Sequence, residues 1–170
     1  LIVGMIVIYR QMDYIQTKNL GYNRENLIYI PIEGELVKKY DLFKEQIAKE
    51  TSILSVSKMR NSPTIIEHHT GSIEWPGKAA DLTVSFADGV VGYDFVETMK
   101  LKLKEGRDFS KDFGTDSAGY ILNETAVKKI GFQNPVGQTM SWGNRQGKVI
   151  GVLQDFHFNS MHQTIEPLII

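Results

Sequence analysis

Apolar residues open the chain as an almost unbroken run, LIVGMIVIY, and then settle into helical spacing at Met5, Ile8, Met12 and Ile15. Arg10, Gln11 and Asp13 lie off that face, so the spacing predicts a helix through about Lys18, stopped by Gly21. Leu27 to Ile32 (LIYIPI) is β-rich on both faces, and Pro31 places it at a sheet edge or at its own end. Leu36, Tyr40, Phe43 and Ile47 then form one stripe of an amphipathic helix reaching about Glu50. Ile53 to Met59 alternates like a half-buried strand. These three pieces predict a β-α-β unit.

From Asn61 to about Val91 the pattern changes to short β-like runs, GSIEW and LTVSFADGVV, punctuated by Pro63, Gly71, Pro76, Gly77 and Gly89. Asp94 followed by Glu97 predicts a capping box, with a short helix from Phe95 carrying Val96 and Met99 inward. Leu101 to Phe109 leads back out through the turn-like EGRDFS. A second β-α-β unit follows: the strand AGYILN, a helix begun by Asn123 and closed by Gly131, and the strand KVIGVLQDF from Lys148 to Phe156. The intervening NPVGQTMSWGNRQG predicts a hairpin. The expected class is α+β: two β-α-β units, an inserted β-rich lobe and an N-terminal stalk helix. The expected division is a stalk at 1–20, a core at 21–60 and 115–170, and an inserted lobe at 61–114.

The opening run has two readings, because nine apolar residues are fewer than the about 20 that cross a bilayer. It is either the outer end of a longer transmembrane helix or the end of a buried element. No basic region or small-residue cleavage site marks a signal peptide. The chain begins without an initiator Met and stops inside the apolar run EPLII, so both boundaries are expected to be cuts within a longer protein.

Composition narrows the partners. Lys and Arg number 19 against 20 Asp and Glu, so no basic excess points to nucleic acid. The absence of cysteine excludes disulfides, thiolate metal sites and cysteine nucleophiles.

Candidate chemistry is sparse. Glu67-His68-His69 sets three ligand types in a row, yet adjacent residues rarely converge on one ion, and the stretch reads as a solvated loop. Asp155, His157 and His162 are a second metal candidate, read as second-shell or surface groups. Gly143 to Lys148 superficially suggests a phosphate loop, but its spacing is one residue short and Val149 stands where Ser or Thr should hold Mg²⁺. The carboxylate pairs Glu67 with Glu74 and Asp112 with Asp116 are indistinguishable from ordinary exposed charge. No catalytic, cofactor or metal site is therefore expected, and the chain is not expected to be an enzyme. Trp75, Trp142, Phe156 and Phe158 lie beside turn residues and serve either as core or as a partner surface, for which Trp75 and Trp142 are the candidates.

Taken in order, YRQMDYIQTKNLGYNRENLIYIPI, ILSVSKMRNSP, GYDFVETMKLKLKEGRDFS, YILNETAVKKIGFQNPVGQTM and VIGVLQDFHFNSMHQTIEPLII resemble the MacB-like periplasmic core domain of FtsX-type ABC-transporter permeases, the Bacteroidetes branch in particular. The resemblance covers nearly the whole chain. It rests on Asn123-Glu124, Asn134-Pro135-Val136-Gly137, Val149-Ile150-Gly151-Val152 and Asp155-Phe156-His157-Phe158 occurring together in that order. It implies a non-catalytic, porter-like domain inserted after a transmembrane helix, periplasmic in an inner-membrane permease. It also implies a cognate ATPase on the cytoplasmic side, and leaves open a second permease copy and an envelope partner. On this reading Met5, Ile8, Met12 and Ile15 belong to a stalk that couples membrane to domain. The chain departs from the family at its C-terminus, where the domain normally continues through another helix and strand. The alternative is a soluble α+β ligand-binding protein or enzyme unrelated to transport.

Overall fold

The second half of the chain carries most of the regular β structure. The computed structural model describes residues 2–18, 20–23, 25–60, 62 and 65–170, with the side chains of 16 and 17 left aside. In chain order the elements are α1 (Ile2–Thr17), α2 (Glu35–Ile47), β1 (His69–Thr70), β2 (Ile73–Glu74), β3 (Phe86–Asp88), α3 (Phe95–Thr98), β4 (Leu103–Gly106), β5 (Gly119–Asn123), α4 (Glu124–Ile130), β6 (Thr139–Trp142), β7 (Arg145–Leu153) and β8 (Leu168–Ile169). A 3-10 turn, Asp116–Ala118, precedes β5. The class is α+β.

The eight strands form one mixed sheet in the order β1-β3-β8-β5-β7-β6-β2, with β4 also on β7. β7 organises it. Its residues 148–153 run parallel to β5, while 145–148 pair with β6 and 151–153 with β4, so β6 and β4 lie end to end along one edge. The strands between 61 and 114 thus join the same sheet as those after 115.

Alternation in the strands sorts the core into two clusters. Phe86, Tyr120, Leu122, Val149 and Ile169 belong to one, while Ala87, Ile121, Leu153, Leu168 and Ile170 belong to the other. Neighbouring strand residues point to opposite faces, so the two clusters cover the two sides of the sheet. Ala126 of α4 joins the first, and Phe95, Val96 and Met99 of the α3 region join the second with Phe156 and Phe158.

The second β-α-β unit forms as its residues predict. Asn123 ends β5 in extended backbone and its side chain caps α4 by accepting from the Ala126 N–H, and Gly131 closes the helix at φ 89°. Gly143 and Asn144 turn β6 into β7, so the glycine-rich segment is a hairpin.

The first unit forms only its helix. α2 carries the expected stripe, with Leu36, Tyr40, Phe43 and Ile47 half-buried, but it kinks at Lys39 and none of its residues is fully buried. Leu27 to Ile32 is not a strand here, because a strand needs a ladder partner and none of the described strands runs beside it. Ile28 and Tyr29 are left 76% and 62% exposed. Residues 53–59 likewise pair only at their end, through the Met59–Val91 bridge and the bonds Arg60 N–H to Val90 O and Gly92 N–H to Lys58 O.

One further expectation is corrected. The capping box at Asp94 does not form: Asp94 sits at φ 66°, makes no cap bond and pairs instead with Lys44. The α3 donors Val96 N–H and Glu97 N–H go to the Asp108 carboxylate, which approaches from the segment after β4. In α1, the described side chains of residues 2–15 are all exposed. Met5, Ile8, Met12 and Ile15 are exposed, and so are Val3, Ile6, Val7 and Tyr9 around the rest of the helix. The apolar residues surround the first turns instead of forming one stripe. Among the described residues no helix is long and apolar enough to cross a membrane.

Candidate functional site

The segment after α1 docks on the run that leaves β7. His157 N–H donates to the Leu20 carbonyl at 2.7 Å, and the Tyr22 ring meets Phe156 edge-on with centroids 6.4 Å apart. Phe156 in turn meets Phe158 at 5.5 Å, and both are buried in the core. Between the two anchors sits Gly21, at φ 87°, so close that a Cβ would fall 2.6 Å from Phe156 Cβ and 2.8 Å from its Cα. Side chains cannot fit there, since both the backbone angle and the space demand glycine. The sequence marks Gly21 only as a helix stop, and nothing local distinguishes a stop from a close-packing position.

Asp155, beside this joint, is held from α4. Its carboxylate accepts from Thr125 N–H at 3.0 Å and Thr125 Oγ1 at 2.7 Å, and its own N–H donates to Glu124. The Lys104 ammonium, 2.6 Å from Glu124, holds that carboxyl below the usual carboxylate range. Asp155, His157 and His162 therefore do not converge on a metal, and no cluster of three metal-ligating side chains occurs among the described residues.

A second set of contacts ties the α2 region to the sheet. Lys44 Nζ lies 2.8 Å from Asp94, Ser55 and Thr98 share a 2.8 Å hydroxyl bond, and Ser57 Oγ donates to Gly92 O at 3.3 Å. Between α2, residues 89–93, the turn at 116–119 and Trp142 lies a cleft of about 300 Å³. Trp142 is half-buried in its wall. Of the two readings left open for Trp75, core or partner surface, the structure places it in the core: it is 8% exposed, meets Phe86 edge-on, and Lys78 Nζ covers its ring at 4.9 Å.

Glu67-His68-His69 is more constrained than a solvated loop. His68 Nδ1 lies 2.5 Å from the fully buried Asp88 carboxylate, which also binds Arg60. His69 bonds Glu166 at 2.7 Å, and that bond raises its pKa above the ordinary histidine value. These pairs pin the edge strand β1 to β3 and to the entry of β8. Glu74 is engaged by Lys78 at 2.8 Å, so Glu67 and Glu74 are no acid–base pair. Asp116 is buried and gripped by the Arg107 fork at 2.5 and 2.7 Å, which holds its carboxyl below the usual range, while Asp112 bonds Ser110.

Among solved structures, the chain is similar to the periplasmic region of MacB from Actinobacillus actinomycetemcomitans, at 24% identity over 74% of this chain and 60% of that one, with a TM-score of 0.47. A permease-protein domain from Porphyromonas gingivalis matches at 17% identity over 73% of this chain and 54% of that one, TM-score 0.47. The extracellular domain of the noncanonic ABC-type transporter YknZ from Gram-positive bacteria matches at 18% identity over 54% and 46% of the two chains, TM-score 0.40. The chain thus spans about 60% or less of the length of each. Comparison with curated proteins gives no match. Residues 1–169 match the description of the MacB-like periplasmic core domain, and the chain belongs to that family.

Proposed function

We propose that this chain is the non-catalytic periplasmic domain of an inner-membrane ABC-transporter permease, and that it passes movement of a membrane helix to an extracytoplasmic partner. The joint at Leu20-Gly21-Tyr22 carries this reading. A lever transmits displacement only if its attachment does not yield, and here the attachment is a backbone hydrogen bond, an aromatic contact and a glycine with no free space. Met5, Ile8, Met12 and Ile15 would lie in the stalk ahead of it. The cognate ATPase would act from the cytoplasmic side through the full-length permease, with a second permease copy or an envelope protein receiving the movement.

Spin labels at Tyr14 and Lys129, both exposed, test the joint in the full-length protein. The distance between them should stay narrow and unchanged with and without ATP, while Gly21→Val broadens it and separates ATP hydrolysis from transport. Tyr22→Ala, which spares the backbone, should do the same more weakly. Normal transport by a folded Gly21→Val permease would sink the mechanical reading.

A further inference from the structure

We propose that the cleft between α2 and the sheet is a binding site for a small organic anion with a flat apolar body. Its volume of about 300 Å³ lies at the small end of the span of ligand pockets. Charge decides the sign of the ligand. Lys58, Lys111 and Arg145 line the cleft, and none of them has a carboxylate partner among the described residues. Lys44, also in the wall, is neutralised by Asp94, and the wall's Asp116 is neutralised by Arg107. Asp41 is the one remaining side-chain carboxylate in the wall, so three uncompensated cationic side chains face one anionic one, and with the terminal carboxylate of Ile170 in the 170-residue chain the excess is one positive charge. The whole chain carries a formal charge of -1, so this is a local concentration of positive charge and no general property of the surface. A cleft with low-dielectric walls focuses such a field and favours an anion inside it.

The walls decide the body of the ligand. Tyr40, Tyr93 and Trp142 are among the residues that line the cleft, and Trp142 is half-buried while the other tryptophan is sealed in the core. Lys58 Nζ stands 4.5 Å from the Tyr40 ring centre, which shows an ammonium already held against an aromatic face here. Tyr120 Oη donates to the Arg145 carbonyl at 2.7 Å, fixing the backbone that carries Arg145 at the rim. Rings for a flat apolar body and ammonium and guanidinium groups for its charge are the usual division of labour in a small-molecule pocket. An inorganic ion would leave the rings unused, and a cation would be repelled. This inference is independent of the mechanical reading, because it uses no residue of the stalk or its joint.

The test is a titration of the purified chain with naphthoate, and in parallel with naphthalenemethanol of the same shape and no charge. Amide proton–nitrogen correlation spectra are the readout. Gly89, Gly92 and Gly119 line the cleft and report from an uncrowded region of the spectrum. Naphthoate should shift these three saturably, and the uncharged analogue should bind at least about tenfold more weakly. Lys58→Glu combined with Arg145→Glu should weaken naphthoate binding at least about tenfold with an unchanged unfolding temperature. Should that double variant fold poorly, Lys111→Gln alone should weaken binding by a smaller factor. Equal affinity for the uncharged analogue, indifference to the charge changes in a folded variant, or shifts confined to α1 and residues 28–32 would each overturn the proposal.

Discussion

Replacing Asn123 with Ala should be among the most costly single substitutions in the sheet. Asn123 is fully buried, and its side chain serves three elements at once. Its Oδ1 accepts from Ala126 N–H of α4 and from Leu168 N–H of β8, each at 2.9 Å, and its Nδ2 donates to the Glu166 carbonyl at 2.9 Å. Loss of the helix cap alone costs about 1 kcal/mol. The two groups orphaned beside β8 add about 1–3 kcal/mol each if both stay dry, so the total is about 3 kcal/mol or more. Asn123→Asp keeps both accepted bonds but turns an acceptor toward the Glu166 carbonyl, and should cost about 1–3 kcal/mol. Urea unfolding followed by circular dichroism measures both variants at fixed pH. An Asn123→Ala cost below about 1 kcal/mol would refute the claim that this side chain ties β5, α4 and β8 together.

Asp116 should contribute to acid sensitivity: the Arg107 fork lowers its folded pKa, so its stabilisation is full above the ordinary carboxylate value and is lost as pH falls through the lower folded one. Asn in its place should flatten the stability curve below about pH 4, measured by urea midpoints, and an unchanged curve would contradict the pairing. His69 behaves oppositely, because its bond to Glu166 raises its folded pKa. That stabilisation is present below about pH 6.5 and is lost as pH rises through the higher folded value, so His69→Ala should reduce the fall in stability above about pH 6.5. Met12→Pro should break α1 at a cost of about 3 kcal/mol of helix stability, losing helical circular dichroism signal without changing the unfolding of the sheet. A shifted sheet transition would mean that α1 supports the fold.

Sequence alone was enough for elements whose determinants are local. The second β-α-β unit is legible because Asn123 and Gly131 carry helix start and stop within a few residues, and β5 and β7 pair in parallel within the unit. The stripe of α2 is legible for the same reason, since helical periodicity needs no distant partner. What only the tertiary structure decided were the groups whose partners lie far along the chain. Asp94 has the spelling of a cap, yet Asp108 does the capping, because φ 66° at Asp94 removes its carboxylate from the helix donors. LIYIPI has the composition of a strand, but pairing is supplied from elsewhere and composition cannot supply it. His68 and His69 read as loop residues until Asp88 and Glu166 arrive from 20 and 97 residues away. Gly21 reads as a helix stop until Phe156 closes against it from the far end of the chain, where the fold, and no local pattern, removes the room for a side chain.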